Sequence, residues 1–219
     1  MYFLLHPISS LNHFVARVAT DQITLLISIV LFITISLNYK KGFWIKVDKT
    51  VLLLAEEAKQ GFIKKHSEDF AILGNAIFHI LFSIVLAIIF FIAKHNVAIV
   101  ISILFTLVLS WGLNRLLKLI YKRQRPESLY SGMAKRLSYC FPSGHVMASI
   151  PIYFFGGMLL QTFLPFLPWY LIALVCSYLV VMTRIYLNHH YFTDVLAGIC
   201  MAIFCLNISI WFYFFIALI

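Results

Sequence analysis

Phe70 to Ala93 reads FAILGNAIFHILFSIVLAIIFFIA, without a single Asp, Glu, Lys or Arg. A helix rises about 1.5 Å per residue, so about 20 apolar residues cross a hydrocarbon core of about 30 Å. This stretch is long and apolar enough to do so. Working outward from it, comparable runs occur at about Ile23–Leu37, from Val97 to about Leu117, from about Val146 to Leu164, at Trp169–Ile185, and from Val195 to the C-terminus. A bilayer offers no water to the backbone, so each run must satisfy its own hydrogen bonds as a helix. The fold class expected is therefore all-α: a polytopic membrane protein with six transmembrane helices, organised as one membrane-embedded domain over residues 1–219. Composition agrees. Of the residues, 63% are hydrophobic and only 11% charged, too little polar cover for a soluble surface.

Between the first two spans, Val47, Val51, Leu54, Ala58 and Phe62 recur at three- and four-residue spacing. Lys46, Lys49, Glu56, Lys59 and Lys64 fall among them. Residues 44–66 or so are predicted to form an amphipathic helix at the lipid surface, as a connector or as part of a lipid entry route. The net charge of +9 sits beside apolar spans, which points to anionic lipid or phosphate as the partner and not to nucleic acid. The four cysteines show no CxxC spacing, and Cys176, Cys200 and Cys205 lie in apolar runs as small packing residues.

The remaining polar residues gather in two connections on the side of the amphipathic segment. Residues 118–126 carry Lys118 and Arg125, seven apart and on one face if the third helix continues that far. Two such cations can hold a phosphate, Arg through paired hydrogen bonds; ordinary snorkelling to headgroups is the plain alternative. Residues 142–145 read Pro-Ser-Gly-His. Ser143 and Gly144 at a helix start offer a hydroxyl and unpaired N–H groups to an anion, and His145 can exchange a proton nearby; alone, they are a helix cap. Residues 183–194 carry Arg184, His190 and Asp194. One helical turn separates His190 from Asp194. A carboxylate there fixes the imidazole tautomer and frees the other nitrogen to attack, or it merely caps the last helix.

In this order and spacing, Lys-x6-Arg-Pro, Pro-Ser-Gly-His and Arg-x5-His-x3-Asp resemble the three-part signature of the type-2 phosphatidic acid phosphatase superfamily, which holds lipid phosphatases and vanadium haloperoxidases. One departure is Thr183, where the third motif usually begins with Ser. The resemblance implies a lipid phosphate phosphatase that needs no metal or other cofactor and works through a phosphohistidine. His190 is then the nucleophile, Asp194 its orienting partner and His145 the proton donor to the leaving oxygen. Lys118, Arg125, Ser143, Gly144 and Arg184 become the phosphate cradle. Substrates of the class include undecaprenyl diphosphate, phosphatidylglycerophosphate, phosphatidic acid and lipid A phosphates.

His189 points about 100° away from its neighbour on a helix and is assigned no catalytic part. Lys122, Arg123, Glu127, Lys135 and Arg136 are read as solvated charges at the rim of the mouth. The competing function is a transporter or binding protein for an anionic lipid or phosphate, but the charges cluster at one face and not at the midplane. A haloperoxidase shares the cradle but not the spans. Sidedness sets two arguments against each other. Nearly all Lys and Arg lie on the motif side, which the positive-inside rule assigns to the cytoplasm. The resemblance assigns that side to the extracytoplasmic face of a bacterial inner membrane, and this is the orientation expected.

Overall fold

Apolar length, polar caps and left-handed stops divide the chain into helices. In a computed structural model, residues 7–58, 65–126 and 139–218 are described. Helix α1 runs Pro7–Asn38, and after a short turn α2, Gly42–Glu57, leaves at 94° to it. A short helix α3, Ser67–Ala71, leads through a 3-10 turn, Ile72–Gly74, into α4, Ala76–Lys94. Then come α5, Val97–Tyr121; α6, Gly144–Phe163; α7, Trp169–Tyr186; and α8, Phe192–Ala217. No strand occurs among the described residues.

The boundaries have local causes. The Asn75 and Asn96 side chains accept from Ile77 N and Ile99 N and start α4 and α5. His95 and Lys122 adopt left-handed φ values of 48° and 47° and end the same two helices. The second span is therefore shorter than its apolar run. Phe70–Gly74 is not part of the crossing, because Asn75 breaks the run and caps α4. Helices α4 to α8 are each long and apolar enough to cross a membrane, and residues 22–38 of α1 with α2, taken as one bent span, make a sixth. The protein is an integral membrane protein of the all-α class.

Helix α6 sits at the centre. Two thirds of it, 67%, is buried inside the bundle, against 28% of α4 and of α7. It packs on α7, α8 and α5, while α1 packs on α8. The outer faces of α4 and α7 carry Ile77, Leu81, Val85, Ile88, Leu171 and Leu174, the surface expected against lipid. At the end where α6 begins, Phe141 stacks on Tyr39 and meets Tyr121 edge-on, with ring centroids 4.9 and 4.8 Å apart. That cluster clamps the segment before α6 between the ends of α1 and α5.

Helix α2 departs from the predicted stripe. Val47 and Val51 do turn inward, but Leu54 is 58% exposed and the buried line runs through Asp48 and Ala55. The cause is a polar partner for Asp48 inside the bundle, the Arg123 guanidinium. The helix also stops short of the predicted residue 66: it ends at Glu57 with Ala58 as its non-helical cap, and Lys59, Phe62 and Lys64 lie outside the described residues.

Candidate active site

Four helix ends meet at one end of the bundle. Lys118 is in the last turn of α5 and Arg184 in the last turn of α7. Gly144 and His145 open α6, and Asp194 lies in the first turn of α8. Alternating helix directions alone bring these four sequence regions together. The turn between α7 and α8 adds His190.

His190 is 2% exposed, and its Nδ1 lies 3.5 Å from Asp194 Oδ2. That is long for a hydrogen bond and close enough for an ion pair on protonation. Burial, the largest influence, drives the His190 pKa down to about 4; Asp194 opposes this, and the cations Arg125 and Lys118 add to it. The imidazole is therefore neutral at neutral pH. Asp194 also caps α8, accepting from Tyr191 N at 3.0 Å. Capping and facing His190 are two jobs of one carboxylate, so the two sequence readings were not exclusive. Its second oxygen, Oδ1, accepts from Arg123 Nη1 at 2.6 Å. The same guanidinium donates through Nη2 to Asp48 Oδ2 at 2.7 Å and lies over the Tyr191 and Tyr39 rings. Burial works against the Arg123 charge, but Asp194 and then Asp48 outweigh it and raise its pKa.

The start of α6 is built for close approach. Ser143 N donates to Asp194 O at 2.9 Å. The buried Ser143 Oγ has no hydrogen-bond partner among the described residues. The following N–H groups of the first turn have no acceptors within the helix. A Cβ on Gly144 would come within 2.6 Å of Asn114 Oδ1, and Asn114 itself donates to Pro142 O at 3.1 Å. A larger residue here would have to displace the Asn114 side chain. His145 lies within electrostatic reach of Arg184, His190, Lys118 and His79. Arg184 is 2% exposed, with Nε and Nη2 each 3.1 Å from Thr183 Oγ1. Among the described residues no three His, Cys, Asp or Glu side chains converge on one point. The arrangement can hold a tetrahedral oxyanion at a helix N-terminus among cations, with one neutral imidazole beside it and a second close by.

The PAP2 superfamily model matches residues 99–217, more than half of the chain. The chain belongs to the PAP2 superfamily. All eight motif residues fall within the matched region. Phosphatidylglycerophosphatase B of Bacillus subtilis (strain 168) is 36% identical over 96 residues, which is 42% of this chain and 46% of that protein. The chain thus aligns with less than half the length of that curated relative. A crystal structure described as the first transmembrane PAP2 type phosphatidylglycerolphosphate phosphatase from Bacillus subtilis superposes with a TM-score of 0.76 at 23% identity. It covers 86% of this chain and 95% of that one. The two share a fold.

In this PAP2 chain the sequence-predicted residues come to one place, with one correction of route. Lys118 and Arg125 do not share a helix face. Helix α5 stops at Tyr121, Lys122 turns left-handed, and Arg125 reaches back to donate to His189 O at 2.8 Å. Both cations nonetheless act on His190. The Thr183 hydroxyl donates to Val180 O at 2.7 Å and faces Arg184, a task a Ser hydroxyl performs equally. Arg123 is no rim charge; it is the bridge between Asp194 and Asp48. Neither Arg123 nor Asp48 was marked as a site residue from sequence, and the one available signal was Asp48 standing alone in an apolar stripe. Glu127, Lys135 and Arg136 lie outside the described residues.

Proposed function

We propose that this protein is a membrane phosphatase that removes phosphate from a lipid phosphate or diphosphate through a phosphohistidine at His190, without a metal. The observation that carries it is the buried His190, its Nδ1 3.5 Å from Asp194 Oδ2, with Lys118, Arg125 and His145 within electrostatic reach of it and Arg184 within reach of His145. His190 Nε2 attacks phosphorus as the bond to the lipid oxygen breaks. His145 gives its proton to that oxygen, so a lipid monophosphate leaves as its alcohol and a lipid diphosphate as the lipid monophosphate. Water, losing a proton to His145, then breaks the P–N bond and releases inorganic phosphate. Lys118, Arg125, Arg184, Ser143 Oγ and the N–H of Gly144 meet the equatorial oxygens. Preorganised donors of this kind supply the largest share of stabilisation in such transfers.

Phosphatidylglycerophosphate is the first substrate to try, on the strength of the named relative. The active site faces the extracytoplasmic side of a bacterial plasma membrane in this reading, supported by the family resemblance. The test is free phosphate measured from purified protein in detergent and EDTA. Its substrates are phosphatidylglycerophosphate, phosphatidic acid and undecaprenyl diphosphate. Release from at least one is expected, with inhibition by vanadate as a transition-state mimic. Release only after a divalent ion is restored would contradict the mechanism.

A further inference from the structure

Asp48 belongs to none of the three motifs, yet it is 3% exposed and reaches the catalytic turn. Its Oδ2 accepts from Arg123 Nη2 at 2.7 Å and from Thr193 Oγ1 at 2.8 Å, and its Oδ1 accepts from Thr193 N at 2.9 Å. Arg123 Nη1 continues to Asp194 Oδ1. Eight positions along α2, Glu56 Oε1 accepts from Asn188 Nδ2 at 3.2 Å. Helix α2 is therefore fastened on both sides of the turn that carries His190, at residues 188 and 193.

Charge decides what the Asp48 contact does. A guanidinium paired with Asp194 alone would neutralise that carboxylate and weaken its hold on the imidazole. Divided between two carboxylates, it leaves the buried cluster with one net negative charge. Negative charge behind Nδ1 favours the tautomer with its proton there, and leaves Nε2 the stronger nucleophile. We propose that Asp48, on the helix that bends away from α1, is a positioning residue of the active site, acting through Arg123 to keep Asp194 anionic and aimed at His190. This rests on the reading of His190 as the nucleophile. Among the described residues, the other charged or titratable groups acting on His190 are Lys118 from α5, Arg125 from the segment after it, and His145 from α6, while Cys140 lies against Asp194.

Asp48→Asn keeps the shape and an acceptor for Thr193 N but removes the charge. Its kcat on a lipid phosphate should fall on the order of tenfold, the low end of what outer carboxylate partners contribute to metal-bound histidines, with KM within about twofold. In ¹⁵N-histidine NMR of the full chain in micelles, the His190 signals should move away from the Nδ1–H tautomer while the other histidines stay in place. A clasp with no hand in the histidine would leave kcat and those signals unchanged and overturn the proposal. A rise in KM at constant kcat would do the same. If Asp48→Asn does not fold, Arg123→Lys keeps the cation but loses the planar fork whose separate nitrogens serve Asp194 and Asp48. It should show the same tautomer change, and a wild-type tautomer there would overturn the proposal. Should the wild type release phosphate from no lipid, the proposed function fails, while the NMR comparison still decides the role of Asp48.

Discussion

In the proposed mechanism His190 and His145 divide the chemistry, and each makes a separate prediction. His190→Ala should abolish phosphate release, since among the described residues no second imidazole of the site has a carboxylate within ion-pair distance; more than a few per cent of activity left would argue against it. The pH sign comes from burial. The free enzyme holds His190 neutral down to a pKa of about 4, so the attacking form persists well below the ordinary histidine value. On the acid side the rate falls as pH drops through that lower value. The acid limb of kcat/KM should therefore lie clearly below pH 6.5; a limb at the ordinary value would show an exposed histidine. His145→Asn should slow hydrolysis of a lipid phosphate more than that of an aryl phosphate, whose leaving group needs little protonation. Equal losses would make His145 a phosphate ligand. At this scale the motif residues were legible because chemistry ties them to fixed spacings. Arg123 was not. Its partners Asp194 and Asp48 lie 71 and 75 residues away, and a basic residue among others at a membrane edge reads as one more solvated charge at the rim.

Helix α6 shows what packing adds to a motif. Gly144 faces Asn114, and Gly198 on α8 brings its helix against Ser143 O, where an added Cβ would sit 3.0 Å away. Gly144→Ala must displace Asn114, which holds Pro142 O. Overpacking of this kind costs about 1–3 kcal/mol, so the thermal midpoint in detergent should fall and turnover with it. Unchanged stability and rate would show that the start of α6 yields more readily than its geometry suggests. The helices themselves were readable from hydropathy, and their edges were not. Phe70–Gly74 is as apolar as a span, but it folds as a short helix and 3-10 turn packed on α7 and α6. Hydropathy does not separate burial in protein from burial in lipid. The face of α2 was misread for a related reason: an apolar stripe predicts the inward side only when no buried polar pair overrides it, and Asp48 does so here.

For the molecule as a whole, the helix order puts the Asp48 contact of α2 and all three motifs at one end of the bundle, and the turn between α4 and α5 at the other. Sidedness can be read from a single labelling comparison, in a Cys176→Ala background where the remaining native cysteines are buried. Lys46→Cys should react with a membrane-impermeant maleimide in intact cells, and His95→Cys only after permeabilisation. The reverse pattern would place the active site in the cytoplasm, as the Lys and Arg distribution alone suggests. The broad architecture was legible because bilayer thickness permits few solutions. The strap formed by α2 was not, because it depends on a bend of 94° that no composition encodes. The central claim, phosphoryl transfer through His190, is tested most directly by quenching the enzyme in alkali during turnover and mapping the phosphorylated peptide by mass spectrometry. Phosphate on the imidazole of His190, absent from His190→Ala, is the predicted result. Steady turnover with no phosphohistidine, or with phosphate on His145 or His189, would contradict it.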